Sequence, residues 1–367
     1  MPGDRARGVR RKGPGMTSAT VTANPALRSE LVGARLPVWA PIGSAVAGVG
    51  LAFLFRWLLD WTGWYTTLFT GAALFVIVLT AWSFAVEGRR QAKNRFATTL
   101  IYASFVAAIV PLVLILTYIG IKGFTVFSAD FFLRSMNGVT SRMEGGGLYH
   151  ALIGTLQQVA IAAIIALPIG IFTAIYLVEY GRGKFAKTVT FFVDVMTGVP
   201  SIVAGLFVYT FLLLGFGMRP FGAAGAIALA ILMVPVSVRA SEEMLKLVPR
   251  DLRDASYALG VPKWRTILKV VLPTAMSGLI TSSLLAVARV AGETAPLLLT
   301  TFLTQSYNYN AFRGPQAALP TFIWDQITSG TQASVDRAWA GALVLITIIM
   351  LFYIAAKLLA ARFAPKG

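Results

Sequence analysis

Arg289 and Glu293 are the residues whose types and spacing point most clearly to chemistry in this chain. They lie four positions apart in the stretch AVARVAGE, inside an otherwise apolar segment, and this spacing predicts that both face one side of a helix. An arginine at a bilayer centre costs roughly 2.5 to 3.5 kcal/mol on insertion scales, so it usually faces water or a partner. Its planar fork fits a tetrahedral oxyanion. The two charges therefore predict either an oxyanion passage or a pair that is neutralised within the helix or across a partner chain.

Prolines inside the apolar segments predict irregular helices. Pro296 lacks the N–H that would bond the Gly292 carbonyl, so we expect the helix to loosen beside Arg289 and Glu293. Pro168 and Pro200 would each free a carbonyl four residues earlier, which predicts kinked helices able to move between two packings. These positions are candidate gating residues. The candidate pathway residues are Arg289, Glu293 and Thr294.

The elements that must position these residues are membrane-spanning helices. The chain has 367 residues, of which 57% are hydrophobic and only 13% charged, and it contains several apolar runs near the roughly 20 residues that span a bilayer. This composition predicts an all-α polytopic membrane protein and excludes a soluble enzyme with one core. The absence of cysteine excludes a disulfide framework and a thiolate site. The predicted spans are 38–59, 66–86, 97–121, 151–178, 189–214, 221–238, 274–303 and 338–361.

The distribution of positive charge predicts the orientation. Of the 32 Lys and Arg residues, 24 lie on the side of the bilayer that carries the N-terminus, which the positive-inside rule assigns to the cytoplasm together with the C-terminus. We expect a disordered basic tail at 1–36, two N-terminal spans with a cytoplasmic linker at 37–96, and a larger transmembrane domain at 97–367. Met16 is an alternative start of the chain.

The segment 241–273 between the sixth and seventh spans is too long to be a simple turn. It is basic and amphipathic. Apolar residues around Leu259 would form a single apolar stripe along a short helix. Gly260 can end that helix in the left-handed conformation, and Pro262 suits the first turn of a second short helix. A helix, a glycine turn and a second helix outside the membrane form a shape suited to docking on another protein.

This segment resembles the EAA loop of ABC importer permeases. From Asp254 the order is D-A-S, three residues, Gly260, nine residues, then V-x-L-P, with Asp, Ser and Val where the family pattern has Glu, Ala and Ile. In that family the loop is the coupling helix, which seats in a groove of the ATPase subunit. The residues that the resemblance places in this role are Arg250, Asp254, Ala255, Ser256, Leu259, Gly260 and Pro273.

The chain shows no phosphate loop of its own. The stretch GRGKF at 181–185 lacks both the spacing and the hydroxyl of a G-x-x-x-x-G-K-[ST] motif. We therefore expect no catalysis, no metal and no cofactor in this chain, and we expect ATP and Mg²⁺ to be bound by a partner ATPase.

Several further stretches resemble the phosphate ABC transporter permeases, the A-type subunit more than the C-type. They are GGGLYHALIGTLQQ, LPIGIFTAIYLVEY, GVPSIVAGLFVY, ARVAGETAPLLL and ALPTFIWDQI, and with the coupling loop they cover roughly residues 97–361. The resemblance implies a type I ABC importer permease with a six-helix core in a bacterial plasma membrane. The implied partners are a paralogous C-type permease, an ABC ATPase dimer, an external phosphate-binding protein and membrane lipid, without nucleic acid. The implied mechanism is alternating access.

Glu293 sharpens the choice of substrate. Phosphate has a second pKa of roughly 6 to 7 and still carries protons near neutrality, whereas sulfate does not, so a carboxylate in the path would favour phosphate. A permease for sulfate, molybdate or phosphonate stays open as an alternative. An ion-coupled secondary transporter also places charges in broken helices at the midplane, but it would not need the long docking loop.

Two further polar residues carry weaker predictions. His150 is the only histidine, and we expect it to be hydrogen-bonded at the membrane interface rather than to titrate or bind metal. Asp194 begins the fifth span one turn before Gly198, and we expect it to pair with Lys187 or Arg182.

Overall fold

The computed structural model describes residues 35–363, and all regular structure in that range is helical, as predicted. The basic tail and the alternative start at Met16 lie outside the described residues. The α-helices are α1 Ala40–Leu58, α2 Trp64–Glu87, α3 Arg89–Gly123, α4 Ala129–Leu133, α5 Tyr149–Ile175, α6 Gly183–Thr197, α7 Ser201–Val208, α8 Gly222–Lys246, α9 Arg250–Ala258, α10 Lys263–Thr266, α11 Leu272–Ala291, α12 Ala295–Thr300, α13 Leu319–Thr328 and α14 Gln332–Phe363. Single π-helical segments extend α5 and α7 and join α10 to α11.

Seven of the helices described are long and apolar enough to cross a membrane, and a bent pair raises the number to eight. The prediction of about eight membrane helices is therefore confirmed. Within residues 35–363 the chain forms two compact units that divide inside α3, between Val113 and Leu114. This division does not test the predicted boundary at residue 97.

The first unit is built on a close hairpin of α1 and α2. Ser44, Gly48 and Ala52 are buried along α1. A Cβ at Gly48 would lie only 2.7 Å from the backbone nitrogen of Phe75, so the contact requires glycine. Small residues thus bring the two backbones together, which is how membrane helices associate where lipid gives no hydrophobic drive.

The second unit has α8 at its centre. In the most apolar window of α8, 61% of the residues are buried, the largest share among the candidate spans. Alanine, valine and leucine side chains of α5, α8 and α11 share one buried cluster that includes Ala162, Leu229 and Val290. Because these side chains are short, α5 and α11 both approach α8 closely. A displacement of one helix therefore shifts the side chains packed on the others.

The predicted fifth span is broken rather than continuous. Helices α6 and α7 meet at an angle of 103° across 198–200, so the prediction of one helix over 189–214 is wrong. Pro200 has an extended backbone with ψ of 139° and precedes the first residue of α7. Because proline cannot donate to the preceding turn and disfavours a helical residue before it, the chain turns here instead of kinking. At Pro168, in contrast, α5 continues from Tyr149 to Ile175 without a break.

The segment after α8 forms α9 and then a glycine turn. Gly260 has φ of +76°, as the left-handed helix end predicts. The expectation of two short helices outside the membrane is wrong for the second one. Helix α10 begins at Lys263, just after Pro262, and continues through Ile267–Val271 into α11, giving one helical run over Lys263–Ala291. The turn at Gly260 is therefore joined directly to the span that carries Arg289.

Candidate functional site

A small cavity of about 200 Å³ lies where two interrupted spans meet. One interruption is the turn 198–200 between α6 and α7, and the other is 292–294 between α11 and α12. Helices α7 and α12 touch beside it, because a Cβ at Gly205 would lie 2.5 Å from the Cα of Pro296. The lining residues are Met196, Thr197, Val199, Ser201, Leu232, Pro235, Val236, Arg289, Val290 and Glu293.

Arg289 and Glu293 both line this cavity, as their spacing predicts. They do not lie on one continuous helix, because α11 ends at Ala291 and Glu293 follows in the turn, where its N–H donates to the Val290 carbonyl at 3.1 Å. Helix α11 thus ends at Ala291, in the region where we expected Pro296 to loosen it. Among the described residues no ion pair joins the two side chains and neither makes a side-chain hydrogen bond. Arg289 is exposed and Glu293 is half-buried.

The other pathway candidates take different positions. Gly292 follows the last residue of α11 with φ of −92°, so its backbone needs no glycine. Thr294 precedes α12, makes no capping hydrogen bond through its side chain, and does not line the cavity. Pro296 lies in the first turn of α12 and is buried. The geometry therefore assigns these residues to the break in the helix, and it leaves Arg289 and Glu293 as the charged groups of the cavity.

Two hydroxyl residues that the sequence analysis missed complete the lining. Thr197 is the last residue of α6, and its hydroxyl donates to the Val193 carbonyl at 2.9 Å. Ser201 is the first residue of α7, where the first backbone N–H groups have no partner within the helix and carry a partial positive charge. The signal for Ser201 is its place directly after the helix-breaking Gly198 and Pro200. The Ser201 hydroxyl and the Arg289 guanidinium thus line one small volume, whereas the Thr197 hydroxyl hydrogen is used within α6.

Asp194 lies one turn before this cavity, and its predicted partners are wrong. It pairs with Arg239 of α8 rather than with Lys187 or Arg182. Arg239 also binds Glu242, with 2.7 Å between Nη1 and Oε2. Lys187 lies in α6 with Asp194 and Arg182 directly precedes that helix, whereas Arg239 of α8 offers Asp194 a cation from another element. A charged contact therefore ties α6 to α8.

Arg253 of α9, which the sequence analysis did not single out, binds the end of the helix that precedes α6. Its Nε and Nη2 donate to Oε1 of Glu179 at 3.0 and 2.9 Å, and its Nη1 donates to the Val248 carbonyl at 2.6 Å. Glu179, at the end of the π-helical extension of α5, is 5% exposed, and Arg253 is 13% exposed. This buried pair fastens α9 to α5. We call it the Arg253–Glu179 clamp.

A second contact fastens α9 to the run that becomes α11. The hydroxyls of Ser256 and Thr266 are buried and lie 2.9 Å apart. Burial raises the pKa of the Tyr257 hydroxyl above its usual value, and the Glu179 carboxylate acts in the same direction, so this phenol stays protonated at neutral pH. Helix α9 is thus joined to two spans at once.

Most of the residues that the family resemblance assigns to coupling lie at the surface. Leu259 is 84% exposed and follows the last residue of α9. Arg250, Asp254, Ala255, Gly260 and Pro273 are exposed as well, whereas Ser256 is buried. The structure therefore divides the predicted coupling residues into an outward set and one inward anchor.

Also in the second unit, Arg337 of α14 binds both α13 and the segment 134–148 that precedes α5. It is 1% exposed, and it donates from Nε to Oε1 of Gln326 at 2.8 Å and from Nη1 to the Met143 carbonyl at 2.7 Å. His150 is buried nearby, edge-on to Phe322 at 5.8 Å between ring centroids. Its Nδ1 makes no hydrogen bond within the part of the chain that the structure describes, so the expected hydrogen bond is absent at that atom.

A family model described as "Binding-protein-dependent transport system inner membrane component" matches residues 166–366. The phosphate transport system permease protein PstA 1 of Mycobacterium tuberculosis (strain H37Rv) is 47% identical over 272 residues, which are 74% of this chain and 88% of the relative. The PstA proteins of Mycobacterium leprae and Yersinia pestis are 45% and 41% identical, over 76% and 74% of this chain and 92% of each relative.

Among solved structures, a permease chain of a bacterial alginate ABC transporter, crystallised with an alginate pentasaccharide-bound periplasmic protein, matches with a TM-score of 0.54 at 15% identity. The match covers 76% of this chain and all of that one. It supports the type I importer permease fold. The chain therefore belongs to the phosphate transport system permease proteins within the family of binding-protein-dependent inner-membrane components.

Proposed function

We propose that this chain forms one half of the transmembrane pathway of an ATP-driven phosphate importer in a bacterial inner membrane. Its proposed partners are a paralogous permease, two ATPase subunits and an external phosphate-binding protein. The observation that carries the proposal is the cavity where two broken spans meet, because Arg289 lines it and makes no ion pair within residues 35–363. A guanidinium that is not engaged in an ion pair can bind an anion that passes through the cavity.

The cavity suits a tetrahedral anion by its donors. Arg289 offers a planar pair of N–H groups to two oxygens, and the hydroxyl of Ser201 and the first turn of α7 offer further donors to the others. Glu293 accepts a hydrogen bond from a protonated phosphate oxygen. Because sulfate has no such hydrogen near neutrality, it meets Glu293 as one negative charge meets another. The same cavity therefore binds phosphate and discriminates against sulfate.

ATP and Mg²⁺ are bound by the ATPase partner in this proposal, and the surface of α9 around Leu259 receives that partner. Closure of the ATPase dimer displaces α9. The Arg253–Glu179 clamp passes the displacement to α5, and the Ser256–Thr266 contact passes it to the run that carries Arg289. Because α5 and α11 pack on α8 through short side chains, both move relative to the cavity, which then opens to one side of the membrane at a time.

The orientation follows from the charge distribution. With both termini in the cytoplasm, α9 faces the ATPase, and the segments that Arg337 orders face outward. Those segments then form the landing surface for the phosphate-binding protein. Their fixed geometry suits a partner that must dock in one orientation before it releases its ligand.

The proposal is tested by reconstitution. The chain is assembled with its permease partner and ATPase in vesicles, with the phosphate-binding protein supplied outside, and uptake of labelled phosphate is followed with and without ATP. We expect uptake that requires both ATP and the binding protein, and we expect excess sulfate or molybdate not to compete. Uptake that survives without ATP would indicate a secondary transporter, and efficient competition by sulfate or molybdate would indicate a different oxyanion.

A further inference from the structure

A groove in the first unit lies outside the pathway and the coupling segment. Helices α2 and α3 are joined by Gly88 alone, which has φ of +84°, and they diverge from this turn. A cavity of about 830 Å³ opens between them. This volume is within the range of pockets that enclose a small ligand.

The narrow end of the groove is charged and rigid. Glu87 is 4% exposed at its side chain, and it accepts hydrogen bonds from the Leu36 N–H at 2.8 Å, from the Ser83 hydroxyl at 2.7 Å, and from Nε and Nη2 of Arg95 at 2.6 and 2.8 Å. Four donors thus satisfy this one carboxylate. It orients Arg95 while neutralising only part of the positive charge at this end, because Arg35 also lines the cavity.

The side walls of the groove are apolar and of a definite length. Phe75 and Leu79 of α2 form one wall, and Tyr102, Ala103 and Val106 of α3 form the other. From Arg95 to Val106 the helix rises by roughly 16 Å at 1.5 Å per residue. This distance is close to half of the roughly 30 Å hydrocarbon thickness of a bilayer. The groove therefore has the depth of one membrane leaflet.

Two residues of α3 that line the groove are left largely exposed by the part of the chain that the structure describes. Tyr102 is 67% exposed and Val106 is 54% exposed, although both belong to a membrane-spanning helix. A free phosphate ion would gain nothing from these apolar walls. An amphiphile with a negative head and a chain about one leaflet long would satisfy both ends of the groove.

We propose that this groove binds one anionic phospholipid of the cytoplasmic leaflet. The lipid phosphodiester lies against Arg35 and Arg95, where the side-chain amides of Gln91 and Asn94 line the same end and supply further donors. An acyl chain lies between α2 and α3 and contacts Phe75 and Val106. Basic residues next to a membrane surface attract anionic lipid, and here the apolar walls select a lipid over a soluble anion.

The test compares two lipids that differ only in the headgroup. The full chain is purified in mild detergent, incubated with palmitoyl-oleoyl phosphatidylglycerol or with the phosphatidylcholine of the same chains, and examined by native mass spectrometry. We expect retained phosphatidylglycerol and much less phosphatidylcholine. Inorganic phosphate at the same concentration should not displace the bound lipid.

Two matched pairs of variants locate the lipid. Arg35→Gln should lower phosphatidylglycerol retention by about five-fold, the effect of one basic residue at an anionic surface. Arg90→Gln removes the same charge from an exposed position outside the cavity and should change little. Ala103→Trp fills the groove and should lower retention, whereas Ser104→Trp, the next residue along α3 and outside the lining, should not. Among residues 35–363, Glu87 is bonded by Leu36, Ser83 and Arg95 and not by Arg35 or Ala103, so these variants leave the ion pair with Arg95 in place.

The proposal is overturned by any of three results. Equal retention of the two lipids would show that the groove does not distinguish lipids by headgroup charge. Equal losses in Arg35→Gln and Arg90→Gln would show that only diffuse surface charge acts. Unchanged retention in Ala103→Trp would show that the lipid does not enter the groove.

Discussion

At the scale of single residues, the sequence predicted which charged side chains lie together better than it predicted the backbone that carries them. Arg289 and Glu293 line one cavity, as a spacing of four requires on a helix. The helix nevertheless ends between them, because Gly292 and Pro296 together interrupt it. Thr197 and Ser201 were missed because a hydroxyl becomes notable only once the turn at 198–200 brings it to the cavity.

Glu293 carries the first prediction. In Glu293→Gln the amide can donate a hydrogen bond to sulfate, and the charge that repels sulfate is gone, so we expect the preference for phosphate over sulfate to fall about ten-fold. This corresponds to one hydrogen bond to a charged group. The measurement is competition of sulfate with labelled phosphate in reconstituted vesicles. Glu144→Gln, an exposed carboxylate outside the cavity, is the control. Equal sulfate passage in Glu293→Gln and the unmodified transporter would contradict the role of the carboxylate.

At the scale of elements, the amphipathic stripe and the glycine predicted α9 and its end, but the sequence did not reveal what α9 is fastened to. Glu179 is 74 positions from Arg253, and no local pattern links an acid after one span with a base in a distant loop. The same reason explains the wrong partners for Asp194. Long-range ion pairs depend on how helices cross, which the chain's local spacing does not encode.

The Arg253–Glu179 clamp gives a stability prediction. Removing one partner of a buried ion pair leaves the other charge without compensation, so Glu179→Gln or Arg253→Gln alone should each destabilise the protein by about 3 kcal/mol. The double variant leaves no unpaired charge, and its loss should be smaller than the sum of the two single losses. Thermal unfolding of the four proteins in detergent measures this. Additive losses would show that the two side chains do not interact.

Gly260 gives a prediction about coupling. A Cβ has open space at Gly260 and at Gly120, but φ is +76° at Gly260 whereas Gly120 lies within α3. Gly260→Ala should therefore strain the turn by about 1 kcal/mol and lower the phosphate imported per ATP hydrolysed, because α9 shifts relative to its partner. Gly120→Ala should be neutral or stabilising. A normal transport ratio in Gly260→Ala would show that the turn geometry is not needed for coupling.

At the scale of the whole molecule, hydropathy predicted the number of spans, because each apolar run must cross the bilayer or be buried. It could not predict the broken span, since a bent pair and a straight helix have the same composition. The two N-terminal helices belong to the unit that contains the proposed lipid groove, and lipid binding there would be a role separate from transport.

The orientation is open to a direct check, because the chain has no cysteine. Single variants Leu259→Cys and Asn137→Cys place a thiol at two exposed positions on the predicted cytoplasmic and external sides. In intact cells an impermeant maleimide should label Asn137→Cys and not Leu259→Cys. In inverted vesicles the pattern should reverse, and added ATPase subunits should protect Leu259→Cys. Labelling of Leu259→Cys from outside would show that the topology is the reverse of the one proposed.

The central claim is that an anion passes Arg289 in a movement driven by ATP hydrolysis in a partner. The most direct measurement is labelled phosphate uptake and ATP hydrolysis, recorded together in vesicles that contain the complete assembly with either Arg289→Gln or the unmodified chain. Arg56→Gln is the matched control, since Arg56 lies near the end of α1 and binds Thr67, 3.2 Å away, far along the chain from the cavity. We predict that Arg289→Gln assembles and hydrolyses ATP but loses most phosphate uptake, whereas Arg56→Gln retains it. Uptake that survives in Arg289→Gln would contradict the account.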